Sequence, residues 1–222
     1  MRKLSILATG GAAVLTALAG TAFAVPAQAD EQRIPSTTTA AVPIDVSVVA
    51  AGGTGCKKSE DNNNVEVTSV GNGAVLLTYP TMTAKATGAK QSDYKNCVAS
   101  LAIDVPEGYT WSLAALAVKG RAHVDDGSLG RVNVTANVSG ATGEATVVSE
   151  LEGPYSGPFV EFGNTEGDAE QPCGQKQLLN INAAAIAAKR SGGFSTVQLR
   201  SANAEDGSVL ISLTTRECNP QD

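Results

Sequence analysis

Histidine is nearly missing from this chain of 222 residues: His123 is the only one. A zinc site built on two or more histidines is therefore excluded, and a Ser-His-Asp triad would have to run through this residue. It stands in Arg121-Ala122-His123-Val124-Asp125, which reads as a half-exposed strand position entering a turn. No G-x-S-x-G nucleophile elbow occurs. Gly52-Gly53-Thr54-Gly55 leads into a cysteine and not into a Lys-Ser/Thr pair opening a helix, so it is no phosphate loop. Sugar-binding surfaces usually offer exposed aromatic platforms, and aromatic residues here make up only 4% of the chain. The single tryptophan, Trp111, alternates in phase with Tyr109 and Leu113 and is assigned to the core. After residue 30 the apolar runs are short and strand-like, so no later segment can cross a membrane as a helix.

Positive charge is also scarce. Lys and Arg number 16 against 22 Asp and Glu, a formal net charge of −6. An acidic surface repels phosphate backbones and offers no polybasic patch to anionic lipid, so nucleic acid and membrane surfaces are not expected partners. The carboxylates leave room for acid/base hydrolysis, which needs two acids at a suitable separation. Glu107, Asp125, Asp126, Glu161 and Glu166 are candidates, and no spacing singles out a pair. The oxygen-rich Glu60-Asp61-Asn62-Asn63-Asn64 lacks the EF-hand spacing and its terminal glutamate and reads as a solvated loop. No catalytic, metal-binding or cofactor-binding residue is assigned, and no cofactor is expected.

The N-terminus has the order of a secretory signal. Arg2 and Lys3 precede an uncharged stretch over residues 4–23, and Ala27-Gln28-Ala29 supplies the small residues of a cleavage site. Ala22-Phe23-Ala24 offers a second cut. The expected organisation is a signal peptide at 1–29, a flexible leader at 30–43 rich in small residues and bracketed by prolines, and one domain at 44–222. Removal of Arg2 and Lys3 takes the net charge from −6 to −8.

All four cysteines, Cys56, Cys97, Cys173 and Cys218, lie after the signal. An even number in an exported chain reads as two disulfides, and no CxxC spacing suggests redox or zinc chemistry. Three pairings are possible. The one expected puts a bridge near each end of the domain, Cys56–Cys97 and Cys173–Cys218, with the strands carrying Leu179 and Val209 side by side.

Between the cysteines the hydrophobic period is two. A first strand is expected at 44–49. Asn72-Gly73 is a hairpin signal between Val67 and Val75. Cys97, Ala99, Leu101, Ile103 and Val105 share one face of the clearest strand, and Pro106-Glu107-Gly108 turns it toward the Tyr109-Trp111-Leu113 strand, expected to pair with it. Further alternating runs surround Val134, Ile181, Val197 and Ile211, separated by Asp126-Gly127, Gly192-Gly193 and Asp206-Gly207. Many short strands between glycine turns predict an all-β, antiparallel, jelly-roll-like β-sandwich. Residues 183–190 are alanine-rich and read as a short helix. Residues 150–172 read as a long irregular connection. Asn133-Val134-Thr135 and Asn137-Val138-Ser139 match the N-glycosylation pattern on one outward face.

The segments Gly53-Thr54-Gly55-Cys56, Asn96-Cys97, Pro106-Glu107-Gly108-Tyr109 with the Trp111 strand, Cys173-Gly174, Leu178-Leu179-Asn180-Ile181-Asn182 and Cys218 together resemble a family of secreted bacterial and fungal proteins carrying a domain of unknown function. The resemblance covers about residues 50–219. Members often have proline after the first cysteine and tryptophan three residues before the last, where this chain has Lys57 and Thr215. The resemblance implies a secreted β-sandwich with two disulfides and no particular activity. The combined expectation is a secreted, extracellular, non-catalytic protein that binds an extracellular or cell-wall ligand. A carboxylate-dependent hydrolase, or a protease inhibitor presenting a loop at 153–158, are the alternatives.

Overall fold

The computed structural model describes residues 42–59, 62–63, 65–200 and 207–219, with the backbone alone at 57–59 and 62–63. These lie in one unit, Ala40–Asp222. The signal segment 1–29, most of the leader, three residues of the 60–64 loop, and Asp206 fall outside the described residues.

Alternation of apolar and polar residues is converted into strands throughout. They are β1 (Asp45–Gly52), β2 (Lys57–Ser59), β3 (Asn62–Asn63), β4 (Glu66–Gly71), β5 (Ala74–Thr78), β6 (Thr83–Ala86), β7 (Ser92–Asp104) and β8 (Tyr109–Val124), followed by β9 (Leu129–Val138), β10 (Glu144–Glu152), β11 (Tyr155–Glu166), β12 (Leu178–Ala188), β13 (Ser195–Gln198) and β14 (Ser208–Glu217). No helix occurs among the described residues. All named strand pairs are antiparallel, and one hydrogen-bonded path runs β1-β7-β12-β9-β10-β11-β8-β14-β5-β4, with β13 joining β6 to β8 and β2 pairing β3 apart from it. The ends of the path, β1 and β4, lie against each other without pairing. The all-β antiparallel expectation holds. The division into two sheets is not what the hydrogen bonds draw: β10 and β11 link the two halves at Glu144↔Glu166 and Ala145↔Thr165, and the sheet curls into a nearly closed, barrel-like wall.

The turn at Asn72-Gly73 shows why its sequence matters. Both residues have positive φ, 53° and 75°, as a two-residue hairpin turn of the primed type requires. A side chain at Gly73 would also strike the Leu213 carbonyl oxygen, 2.2 Å from where its Cβ would sit.

Four expectations are corrected. Residues 183–188 are strand: Ala183, Ala185 and Ala187 are fully buried on the inner face of β12, which is paired on one edge to β7 and on the other to β9. Alanine's helical preference is weak beside two complete ladders. Small side chains here also let β6 and β13 pack close across the interior. Residues 150–166 are not irregular, since β10 runs to Glu152 and β11 spans Tyr155–Glu166; only 167–172 form part of an irregular connection, as expected. Pro158 is accommodated because β11 pairs with β10 only at its far end, leaving one free edge there. This also removes the protruding loop expected at 153–158, whose residues 155–158 pair with 121–124.

β7 and β8 do not pair. Their Pro106–Tyr109 turn, closed by the Tyr109 N–H donating to the Pro106 oxygen at 3.1 Å, has positive φ only at Gly108. That geometry splays the flanking strands instead of matching their twist, and the chain crosses the core. Finally, β12 and β14 are not neighbours. Cys173 pairs with Cys218 from the loop preceding β12, and Cys56 pairs with Cys97 where β1 leaves β7.

Among the described residues four buried side-chain atoms lack a hydrogen-bond partner, Tyr79 Oη, Ser128 Oγ, Asn133 Oδ1 and Gln177 Oε1, and Tyr79 lies deepest in the apolar core. Tyr79 is fully buried and its hydroxyl has no hydrogen-bond partner, and burial pushes its phenol well above the ordinary tyrosine range. Because the hydroxyl is desolvated without compensation, Tyr79→Phe is expected to raise stability by about 1 kcal/mol, up to ~3, measured by urea denaturation. Replacing both Cys173 and Cys218 with serine is expected to cost about 2–5 kcal/mol and to hasten proteolysis at the C-terminus, read by mass spectrometry of the fragments.

Candidate functional site

A cleft of about 490 Å³ opens where the end of β7, the 105–108 turn, the start of β8, the 171–176 loop and Cys218 meet. A sixteen-residue strand such as β8 has backbone groups on both edges to satisfy. β14 covers one edge from Tyr109, but β11 reaches only to Ala115 on the other. The loop before β12 fills the gap. Leu113 N–H donates to the Ala169 oxygen and Gln171 N–H to the Trp111 oxygen, both at 3.0 Å.

Gln171 then turns its side chain inward. Its Oε1 accepts from Trp111 Nε1 and from the Gln177 N–H, each at 3.0 Å, and its backbone oxygen accepts from Thr110 Oγ1. Buried amide and indole groups so paired fix the loop. The Cys173–Cys218 bridge and the Cys218 N–H bond to the Gly108 oxygen, 2.8 Å, pin the loop, the chain end and the turn together.

The resulting cleft has an apolar floor, including Ile103 and Val105, and a charged rim. Lys176 Nζ lies 2.9 Å from Asp104 Oδ1, an exposed pair worth little by itself. Glu107 stands in the turn. Tyr109 donates its hydroxyl to Glu217 Oε1 at 3.1 Å, and this bond, with the carboxylate's charge, holds the Tyr109 phenol above its ordinary value. Outside the cleft, Arg216 forks onto Glu170, with Nε 3.0 and 3.2 Å from its two oxygens. Such an arrangement can hold a small molecule with one apolar face and hydrogen-bonding groups around it.

The residues singled out from the sequence are dispersed. Trp111 is fully buried. His123 lies on the outer face of β8, its Nδ1 3.2 Å from Ser156 Oγ and its Nε2 3.2 Å from Asp125 Oδ1. Serine hydrolases use those residue types in that order. Here the trio stands on an open sheet surface away from the cleft, without the water-excluding surroundings such chemistry draws on. Glu107 lines the cleft, Asp126 lies in the next turn, and Glu161 accepts from Ser149 Oγ at 3.4 Å. Glu166 faces Glu144 across the β10–β11 link, beside a hollow of about 270 Å³. Of the sequon asparagines, Asn137 accepts from Asn180 Nδ2 at 3.4 Å. Among the described residues no three His, Cys, Asp or Glu side chains are placed to hold a metal ion, and none of the four cysteines is free. Gln171 was not foreseen: a glutamine in a proline- and glycine-rich stretch gives no local sign that it will be buried.

The fold and the cleft define an all-β, disulfide-bridged protein with a cleft locked by its second bridge. The chain belongs to the family described as Domain of unknown function (DUF4360), whose model matches residues 43–218. No curated protein matches the chain.

Because the Tyr109 phenol is raised chiefly by its bond to Glu217, Glu217→Gln is expected to lower the Tyr109 titration midpoint toward the ordinary value, followed by NMR of the ring resonances.

Proposed function

We propose that the protein is exported, loses residues 1–29, and acts outside the cell as a binding protein whose cleft beside Cys173–Cys218 takes a small polar ligand with one apolar face. The observation that carries this reading is convergence. Pro106-Glu107-Gly108-Tyr109, Cys173-Gly174 and Cys218, which are far apart in the sequence, together wall the cleft, and they are among the segments on which the family resemblance rests. Two disulfides suit an extracellular setting, and no helix among the described residues is long and apolar enough to cross a membrane. The binding reading, in preference to a catalytic one, is supported by the scatter of the candidate acids and by the exposed position of His123.

Amide-detected NMR against a panel of mono- and oligosaccharides and short peptides tests it. Shifts confined to residues around Gly108, Tyr109, Gly174 and Lys176, weakened at least tenfold in affinity by Tyr109→Ala, are the expected result. Turnover of a glycan or peptide by the purified protein, abolished by Glu166→Gln or His123→Ala, would replace the binding reading with a hydrolytic one. N-terminal sequencing of protein recovered from the medium should begin at Asp30, or at Val25 if the earlier site is cut.

A further inference from the structure

A second surface, remote in sequence from the cleft's walls, carries the opposite charge to the protein as a whole. On the outward side of β6, β13, β8 and β11 the register places Lys85, Thr196, His123 and Ser156 in one row. Thr83, Gln198, Arg121 and Pro158 form the next. Lys119 follows Arg121 on the same face of β8, and Arg200 follows Gln198 just beyond β13. A groove of about 410 Å³ runs beside these rows, lined by Thr83, Lys85, Phe194, Thr196, Gln198 and Arg200 among others.

Among the described residues Lys119, Arg121 and Arg200 form no ion pair. Lys85 Nζ lies 5.8 Å from the centre of the Phe194 ring, whose edge also meets His123 at 5.4 Å between ring centres. Two nearby carboxylates are engaged. Asp125 is bonded to His123, and Asp93 is held by Lys90 Nζ at 2.5 Å and by the Lys85 backbone N–H at 2.9 Å. Partial burial pushes the Asp93 carboxyl up, but these donors and the charge of Lys95 outweigh it and leave it below its ordinary value, so it stays charged and committed to its own partners.

In a chain with a net charge of −6, a face that keeps Lys85, Lys119, Arg121 and Arg200 together is a local positive field that draws anions, screened by salt. We propose that this face binds a carboxylated extracellular polysaccharide. The cations are separated by hydroxyl and amide groups (Thr83, Thr196, Gln198, Ser156), which suits a chain whose carboxylates alternate with neutral hydroxyls. Successive strands lie about 4.8 Å apart, so one row of four presents its groups over roughly 14 Å, the reach of a few sugar rings. Phe194, half-buried between Lys85 and His123, positions these two side chains along the groove. A nucleic acid fits less well, because its denser phosphate charge must approach a protein of the same overall sign.

The test is titration of the purified protein with polygalacturonate by calorimetry at low and high salt, with dextran, duplex DNA and anionic phosphatidylglycerol vesicles in parallel. Binding to polygalacturonate that weakens with salt is expected, with affinity at least tenfold lower in Lys85→Glu/Arg121→Glu and unchanged in Arg131→Ser, which lies on the outer face of β9. Trp111 fluorescence and the melting temperature show whether the variants remain folded. A single Arg121→Gln variant, expected to lose a smaller part of the affinity, serves if the double variant does not fold. No binding, equal binding to dextran, tighter binding to DNA or vesicles, or indifference to both sets of face variants would overturn the proposal. Because none of these residues lines the cleft, such a result would leave the cleft reading standing, and failure of the cleft reading would leave this one to be judged separately.

Discussion

Every backbone group along β8 needs a partner, and this requirement organises the molecule. On one edge β14 serves Tyr109 to Lys119 and β13 serves Arg121 to Val124. On the other, β11 serves Ala115 to Val124, and the loop carrying Ala169, Glu170 and Gln171 completes the start. An unpaired buried amide or carbonyl would cost about as much as a lost hydrogen bond, so neither β13 nor the loop is optional. Both surfaces given a function here follow from these two patches. The loop raises one wall of the cleft, and β13 ties β6 to β8 and so lays out the cationic rows.

Small residues make this possible. Ala183, Ala185 and Ala187 of β12 and Ala84 and Ala86 of β6 are buried, which lets the short β6–β13 pair sit close over the interior. Gly153 plays a related part at the mouth of β11. A Cβ there would fall 1.8 Å from the Asp125 oxygen, so only glycine lets the β10–β11 connection pass the end of β8. The interior of this protein is filled as much by close backbone approach as by large side chains.

Much of the strand content was legible because burial on one face leaves a period of two. The stretches around Leu101, Val134 and Ile211 alternate cleanly and are strands of that phase. The hairpin at Asn72-Gly73 was legible because its φ values demand those residue types. Legibility failed where the deciding force was not local. Residues 183–188 carry a helical composition and are overruled by two neighbouring strands. The 155–166 strand is studded with Gly and Pro, and its pairing with β8 appears only in register. Adjacency of β7 and β8 in sequence suggested adjacency in space, and the hand of one turn decided otherwise. Of the candidate site, Cys173, Cys218 and the Pro106–Tyr109 turn were visible as sequence features, but that they meet, and that Gln171 locks them, was not.

By itself, then, the sequence determined the class of secondary structure, the number and spacing of cysteines, the scarcity of histidine and the sign of the net charge, since each is a property of composition or of period along one strand. Tertiary structure alone decided which strands are neighbours, that the wall nearly closes, that three distant segments enclose one cleft, and that an acidic chain gathers Lys85, Lys119, Arg121 and Arg200 on one face. Those outcomes depend on pairing between residues tens of positions apart. Such pairings are chosen by the joint satisfaction of many hydrogen bonds and by how closely side chains of given size let backbones approach, and no window of sequence contains both partners.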